Sequence, residues 1–334
     1  MKYNLEKKVN KINENIFQIP ISHFNGRVVN AYFIIDDRIT LIDSGHIHGS
    51  SIDFLRNSLR SLGYGFKDID LIIYTHPHVD HVGGGLHICK ENNNIVNIAH
   101  SGAASFFEDY SEFCNQFVKT SNEFISNNGQ DAPLDWVRDS IKFFKEYHLV
   151  GPGKRLKIGW PLSEGDVLDL GKLKLQVLYT PSHSQWDICL YESSHNLLFT
   201  GDFLIIIGTS LMSSLTGSDI YSYRSSLKKI QKLSLDVSLP GHGKAIIRPH
   251  KIIDRALEQS DLIEKKILDL LKEGKKTPHQ IVMSLFKDKV KDFILWYRYL
   301  WRVDTYVDIL IREQKVLRMK ENENIYYSYN SSFH

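Results

Sequence analysis

Directly after an apolar, β-rich run at Leu71 to Tyr74, the chain reads Thr75-His76-Pro77-His78-Val79-Asp80-His81-Val82-Gly83-Gly84. Three imidazoles and a carboxylate fall within the six residues from His76 to His81, a crowding that a solvated surface turn does not account for. Imidazole nitrogen and carboxylate oxygen are the ligands that a borderline divalent ion such as zinc prefers. A turn at the end of a strand can aim such groups at one or two centres. Gly83, Gly84 and Gly85 are expected to let the backbone turn tightly beneath a metal.

The His-x-His-x-Asp-His run resembles the motif of the metallo-β-lactamase superfamily, and the other motifs of that superfamily follow in order. Thr180-Pro181-Ser182-His183-Ser184 is similar to its Thr-Pro-Gly-His-Ser/Thr segment, with Ser182 in place of the glycine. Thr200-Gly201-Asp202 matches the Thr/Ser-Gly-Asp strand end, and Pro240-Gly241-His242-Gly243 is an intact Pro-Gly-His-Gly. Upstream, Leu41-Ile42-Asp43-Ser44-Gly45 resembles the early Asp-x-Gly turn. The resemblance covers roughly residues 15 to 250. It implies an α/β fold, a four-layer αβ/βα sandwich with metals between the ends of two sheets.

Carried over position by position, the resemblance implies that His76, His78 and His183 hold one metal and Asp80, His81 and His242 a second, with Asp202 bridging. The cofactors would be two divalent ions, Zn2+ first, with Fe or Mn as alternatives. Neutral imidazoles leave such ions Lewis-acidic, and two cations sharing one water bring its pKa toward neutrality, so the implied nucleophile is a hydroxide held between them. Asp80 and Asp202 are the candidate catalytic carboxylates. Asp43 is expected to orient a metal ligand or the turn beneath it, the alternative being a plain Asp-Ser-Gly turn. His23, His46 and His48 fall on loops near the same rim and read as solvated, while His87, His100, His148, His195, His250, His279 and His334 match no ligand position.

These groups need a scaffold. Apolar β-rich runs at Ala31 to Ile35, Ile39 to Ile42, Leu71 to Tyr74, Leu173 to Tyr179 and Ile188 to Tyr191 are bounded by Gly, Asp, Asn and Pro, and Ile52, Leu55, Leu59 and Leu62 repeat at helical spacing between the second and third. The order strand, strand, helix, strand gives an α/β layered domain. From 101 to 150 the rhythm breaks into an aromatic pattern (Phe106, Tyr110, Phe113, Phe117, Phe124, then Trp136, Phe143, Phe144, Tyr147), which predicts two helices broken near Asn127 to Pro133. That helical insertion is expected to pack on the core, or alternatively to face the substrate or a second subunit. After Pro249 the expectation is a helix over Ile252 to Glu273, a second capped by Thr277 and a third over Val290 to Gln314, then two short strands around Glu321 to Asn324. That is the outline of a small winged-helix-like domain at 251–334 behind a catalytic domain at 1–250.

Composition narrows the function classes. The 334 residues are 42% hydrophobic and 24% charged with 21 Gly and 9 Pro, which excludes a disordered or collagen-like chain. A net charge of +2 announces no global field for nucleic acid or membrane. The three cysteines, Cys89, Cys114 and Cys189, form no Cys-x-x-Cys pair, and no apolar export segment precedes the motifs, so a cytoplasmic enzyme without a membrane anchor is expected.

The resemblance implies a hydrolase, and the favoured substrate is a small acyl compound, a thioester or a lactone, as in glyoxalase II and the lactonases. Ile205 stands where quorum-quenching lactonases carry a Tyr, which counts against that subclass, and Tyr223 reads as the start of a helix. The winged-helix outline is also similar to a subgroup containing an endoribonuclease, so phosphodiester cleavage is the alternative. From Lys251 onward, however, Lys plus Arg number 16 against 13 for Asp plus Glu, too even for a phosphate-docking module. A single-iron sulfur dioxygenase is disfavoured by the complete second ligand set, and a winged-helix ligand sensor is the remaining alternative. The partner expected at the site is a small molecule, and 251–334 is expected to be an interaction element, such as a homodimer contact.

Overall fold

The computed structural model describes residues 8–22, 26–205, 217 and 219–332. Thirteen of its described strands form two large sheets. The first runs β1 (Asn10–Lys11), β2 (Ile16–Ser22), β3 (Val28–Ile34), β4 (Thr40–Ile42), β5 (Leu71–Ile73), β6 (Val96–His100) and β7 (Ile158–Leu162), in that spatial order. Pairing is antiparallel through β4 and parallel from β4 to β7. The second sheet consists of β8 (Val167–Asp169), β9 (Lys174–Tyr179), β10 (Ile188–Glu192), β11 (Leu197–Gly201), β12 (Val237–Pro240) and β13 (Ile246–Ile247), again in sequence order. Only its β11–β12 pair is parallel.

The alternation of side chains along a strand sends one set of residues to each face. Ile16, Tyr32, Ile34, Ile42, Ile73 and Ile98 of the first sheet meet Leu175, Val177, Ile188, Leu190, Phe199 and Leu239 of the second in one buried layer. The opposite faces carry Ile19, Phe33, Leu41 and Ile72 on the first sheet and Cys189 and Leu198 on the second, and these are covered by helices. The layers are therefore helix, sheet, sheet, helix.

The helices are α1 (Gly49–Ser61), α2 (Val79–Val82), α3 (Gly85–Glu91), α4 (Ala104–Glu108), α5 (Tyr110–Asn128), α6 (Leu134–Tyr147), α7 (Ile220–Ile230), α8 (His250–Lys272), α9 (Pro278–Phe286) and α10 (Phe293–Arg312). The aromatic spacing of the insertion does give two long helices, α5 and α6, with the break at 129–133. Thr277 begins α9 with a capping box: its hydroxyl accepts from Gln280 N, and the Gln280 side chain accepts from Thr277 N. A hairpin of β14 (Val316–Glu321) and β15 (Asn324–Tyr329) follows. The third C-terminal helix is shorter than expected because Asp292 caps it by accepting from Leu295 N, leaving Val290 in the preceding turn.

The C-terminal helices do not stand apart from the insertion. Tyr297 of α10 packs on Phe143 and Phe144 of α6, Trp301 sets its ring edge-on to Phe144 at 5.2 Å, and all lie in the core that continues under the first sheet. No described helix is long and apolar enough to cross a membrane.

Candidate metal centre

Every motif residue follows the C-terminal end of a strand: Asp43 after β4, His76 to His81 after β5, His183 after β9, Asp202 after β11 and His242 after β12. Parallel β4 and β5 deliver the first two loops side by side. Asp43 there adopts φ 56°, a left-handed conformation unusual for a residue with a side chain. Its N–H donates to Ile73 O at 2.8 Å, so the turn is tied to the neighbouring strand.

The glycine run works differently from the expectation. Gly83 and Gly84 have ordinary helical backbone angles, φ −56° and −63°. What they supply is absence of volume: a Cβ on Gly84 would lie 1.9 Å from Ser44 O, and one on Gly83 2.3 Å from Ile47 N. The 43–45 turn thus packs directly on α2. Ser44 N and Oγ both donate to His81 O, at 2.7 and 2.8 Å, and Ser44 Oγ accepts from Gly85 N at 2.8 Å.

The loops bring all seven predicted ligands together. His76, His78 and His183 form one group whose ligand atoms lie within 4.8 Å of one another; His76, His81 and Asp202 form another, and Asp80, His81 and His242 a third. The Asp202 carboxylate lies among them, with Oδ2 3.5 Å from His183 Nε2 and 3.4 Å from His242 Nε2, and Oδ1 3.4 Å from His81 Nε2. Asp80 Oδ2 lies 3.2 Å from His242 Nε2.

Outer partners fix which imidazole nitrogen faces inward. His81 Nδ1 lies 2.7 Å from Asp43 Oδ2 and His242 Nδ1 2.7 Å from Val28 O; both oxygens can only accept, so each Nδ1 carries the proton and donates. Thr75 Oγ1 donates its one proton to Asp43 Oδ2 at 2.9 Å and accepts from His76 Nδ1 at 3.0 Å. Asp43 therefore orients two loops, with Thr75 N also donating to its Oδ1 at 2.9 Å. The inward His76 Nε2, His81 Nε2 and Asp202 Oδ1 are buried with no hydrogen-bond partner among the described residues. Leaving such an atom unsatisfied costs ~1–3 kcal/mol, so three that converge fit a cation and not an apolar void.

The electrostatics divide the histidines. Burial, reinforced by neighbouring imidazoles, holds His76 and His78 well below the ordinary imidazole range. Burial pulls His81 the same way, but the carboxylates of Asp43, Asp80 and Asp202 outweigh it and raise its pKa well above that range. For His242, too, burial opposes and Asp202 and Asp80 prevail, raising it to about 9. Burial pushes Asp202 up, and the imidazoles of His242 and His81 outweigh that, holding its carboxyl well below the usual range.

Sequence reasoning missed Asp187. Its buried Oδ2 accepts from Ser182 Oγ at 3.0 Å, His183 N at 2.7 Å and Ser184 N at 2.9 Å, and its Oδ1 accepts from Ser184 Oγ at 2.5 Å. This carboxylate shapes the turn that presents His183, and Ser182, the departure from the motif, is one of its donors. Its one mark in the sequence, an aspartate four residues past His183, reads as an ordinary turn residue.

Also missed was a buried polar layer behind Asp80. Burial, reinforced by the nearby Asp80 carboxylate, raises the Tyr147 hydroxyl well above the ordinary phenol range, and the Arg27 guanidinium sits 4.6 Å over the Phe143 ring and 5.5 Å over Tyr147. His46 is fully buried, correcting the solvated reading: its Nε2 lies 2.9 Å from Tyr147 O, and His48 stacks on it at 4.7 Å. His148 hydrogen-bonds Phe144 O, and burial lowers both His46 and His148 to about 4. His23 and His334 lie outside the described residues. The other histidines are engaged locally, as where His279 Nδ1 accepts from Trp296 Nε1 and His100 packs on both Tyr179 and Trp186. Tyr223 is buried against Phe203 on α7, and Ile205 is half-buried.

A family model of the metallo-beta-lactamase superfamily matches residues 24–242. A probable metallo-hydrolase of Bacillus subtilis (strain 168) is 21% identical over 93% of this chain and 96% of its own length. An acyl-coenzyme A thioesterase of Bos taurus is 34% identical over 52% of this chain and 55% of that protein. Among solved structures, a metallo-beta-lactamase family protein from Thermus thermophilus shares the fold with a TM-score of 0.75 at 20% identity, over 95% of this chain and 99% of that one.

Proposed function

The chain belongs to the metallo-beta-lactamase superfamily and is a metallo-hydrolase, and from that premise we propose that it hydrolyses a small acyl substrate, a thioester or lactone, with two divalent metal ions, first of all zinc. The observation that carries the proposal is the pair of three-ligand groups, His76–His78–His183 and Asp80–His81–His242, arranged around the Asp202 carboxylate. Cations held there would polarise an acyl carbonyl and lower the pKa of a water. The residues do the rest. Asp80 and Asp202 accept hydrogen bonds from the attacking water and hold it below the carbonyl carbon. The water oxygen bonds to that carbon as its bond to sulfur or oxygen breaks, and the water's proton passes through Asp80 to the leaving group.

Support for an acyl rather than a nucleic-acid substrate comes from the thioesterase relative and from the C-terminal segment. In the winged-helix reading of 251–334, α10 would be the helix offered to a groove, yet it buries Trp296, Tyr297, Leu300, Trp301 and Tyr306. We therefore read 251–334 as an interaction element that completes the helical layer. The test is a parallel assay of the zinc-loaded protein on a thioester, a lactone, a phosphodiester and single-stranded RNA, with His242→Ala as the control. Acyl hydrolysis that vanishes in His242→Ala is expected. RNA cleavage that vanishes in the variant, with no acyl hydrolysis in the parent, would overturn the reading.

A further inference from the structure

Beside the ligand loops a cleft of about 240 Å3 opens between the helical insertion and the loop that carries His183. One wall is the ladder Phe106, Phe113 and Phe117, whose successive ring centroids are 4.8 and 6.1 Å apart with planes within 18° and 11° of parallel. The other wall is Trp186. His78 forms the inner end, with Phe117 5.3 Å from its ring. Among the described lining residues there is no Lys, Arg, Asp or Glu.

Trp186 is held by its own surroundings. Its ring stacks on His100 at 5.1 Å, and it lies so close to Gly102 that a Cβ there would come within 2.5 Å of it. The ladder is braced from behind, with Phe117 on Phe144 and His148. A slot between rings fixed on both sides is a preformed binding surface for a flat or extended apolar group. Burying a charged group there would leave it unpaired.

We infer that this cleft is an acyl-binding pocket, and that the substrate carries an uncharged, apolar acyl group larger than acetyl, seated between Trp186 and the phenylalanine ladder with its carbonyl at the His78 end. The inference rests on the acyl-hydrolase reading. It also gives the insertion a role that packing alone does not, because Phe106 and Phe113 are half-buried rings facing an open space.

The experiment compares acetyl, hexanoyl, phenylacetyl and succinyl thioesters of one thiol on the metal-loaded full chain, in the parent, Phe113→Ala and Thr120→Trp. Thr120 lines the cleft, so the indole would fill it. A second readout, calorimetric binding of the phenylacetyl thioester's thioether analogue, needs no turnover. The expected result is kcat/KM at least ~10-fold higher for hexanoyl and phenylacetyl than for acetyl or succinyl, as a few buried methylenes allow. Both variants should erase that preference and weaken the thioether by ~10-fold. Hydrolysis that ignores the acyl group and is untouched by either variant would overturn the pocket and leave the acyl-hydrolase reading intact. Thioether binding lost in both variants, with no thioester hydrolysed, would overturn the reaction and leave the pocket standing.

Discussion

Two faces of the same opening are built on opposite principles. At the strand ends several side chains and one turn are positioned by hydrogen bonds to particular atoms: Asp43 on His81 and Thr75, Val28 O on His242, Asp187 on the turn that carries His183. Across from it, α4 and α5 present rings placed by packing on the helices behind them, Phe117 on Phe144 of α6 and Phe144 in turn on Trp301 of α10. A hydrogen-bonded carboxylate has one working geometry, and its loss leaves buried polar atoms without partners. A ring among rings can shift, so its loss is felt as a graded change in volume and burial.

That contrast sets the order of the expected effects. Asp202→Ala removes the carboxylate that lies among the ligand groups, within 3.5 Å of His183, His81 and His242, and should lower turnover by orders of magnitude together with metal content. Steady-state kinetics and elemental analysis on the same preparation check it, and full turnover with full metal content would break the contrast at its strongest point. Trp296→Ala probes the ring-built side. This residue is fully buried, lies 6.3 Å from Trp136, and would leave a cavity costing ~3–5 kcal/mol. Because α10 and α6 share a core, the variant should lower the single unfolding transition of the whole chain. Two separate transitions, only one of them shifted, would show 251–334 to be an independent domain.

Asp43→Asn is the next step down. The amide has one acceptor oxygen where the carboxylate has two, so it cannot accept both from His81 Nδ1 at Oδ2 and from Thr75 N at Oδ1; metal affinity should fall ~10–100-fold, the usual cost of losing such an outer partner, while the fold persists. Competition with a chelator reads this directly. Ser182→Gly restores the commoner motif residue and removes one of the donors to Asp187, so stability should fall by only ~0.5–1.5 kcal/mol with the ligand set retained, as thermal unfolding would record. A collapse of metal binding in Ser182→Gly would mean that the serine, and not the remaining bonds to Asp187, sets the turn.

The same contrast explains which features are legible in the amino-acid sequence. The ligands and the strands before them can be read because the chemistry is concentrated in short runs: His76 to His81 is a metal signature in six residues. The helices of the insertion are legible from aromatic spacing, and the cap at Thr277 from its residue type. Asp187 is not, since one aspartate four residues past a histidine looks like any turn residue until its four bonds are seen. Tyr147, Arg27 and His46 converge on Asp80 from three distant segments, and no local pattern encodes that meeting. The glycine run suggests a tight turn, whereas its function is close approach to Ser44, a property of the partner surface. For the cleft, the sequence shows only that rings recur, not which of them face open space.

The central claim is that His76–His78–His183 and Asp80–His81–His242, on either side of Asp202, hold two divalent ions. Elemental analysis of the protein purified without added metal tests it most directly. Close to two equivalents per chain, as zinc or as zinc mixed with iron or manganese, is the predicted result, falling toward one in His242→Ala. One equivalent of iron alone, unchanged in that variant and accompanied by oxygen consumption on a persulfide, would contradict it.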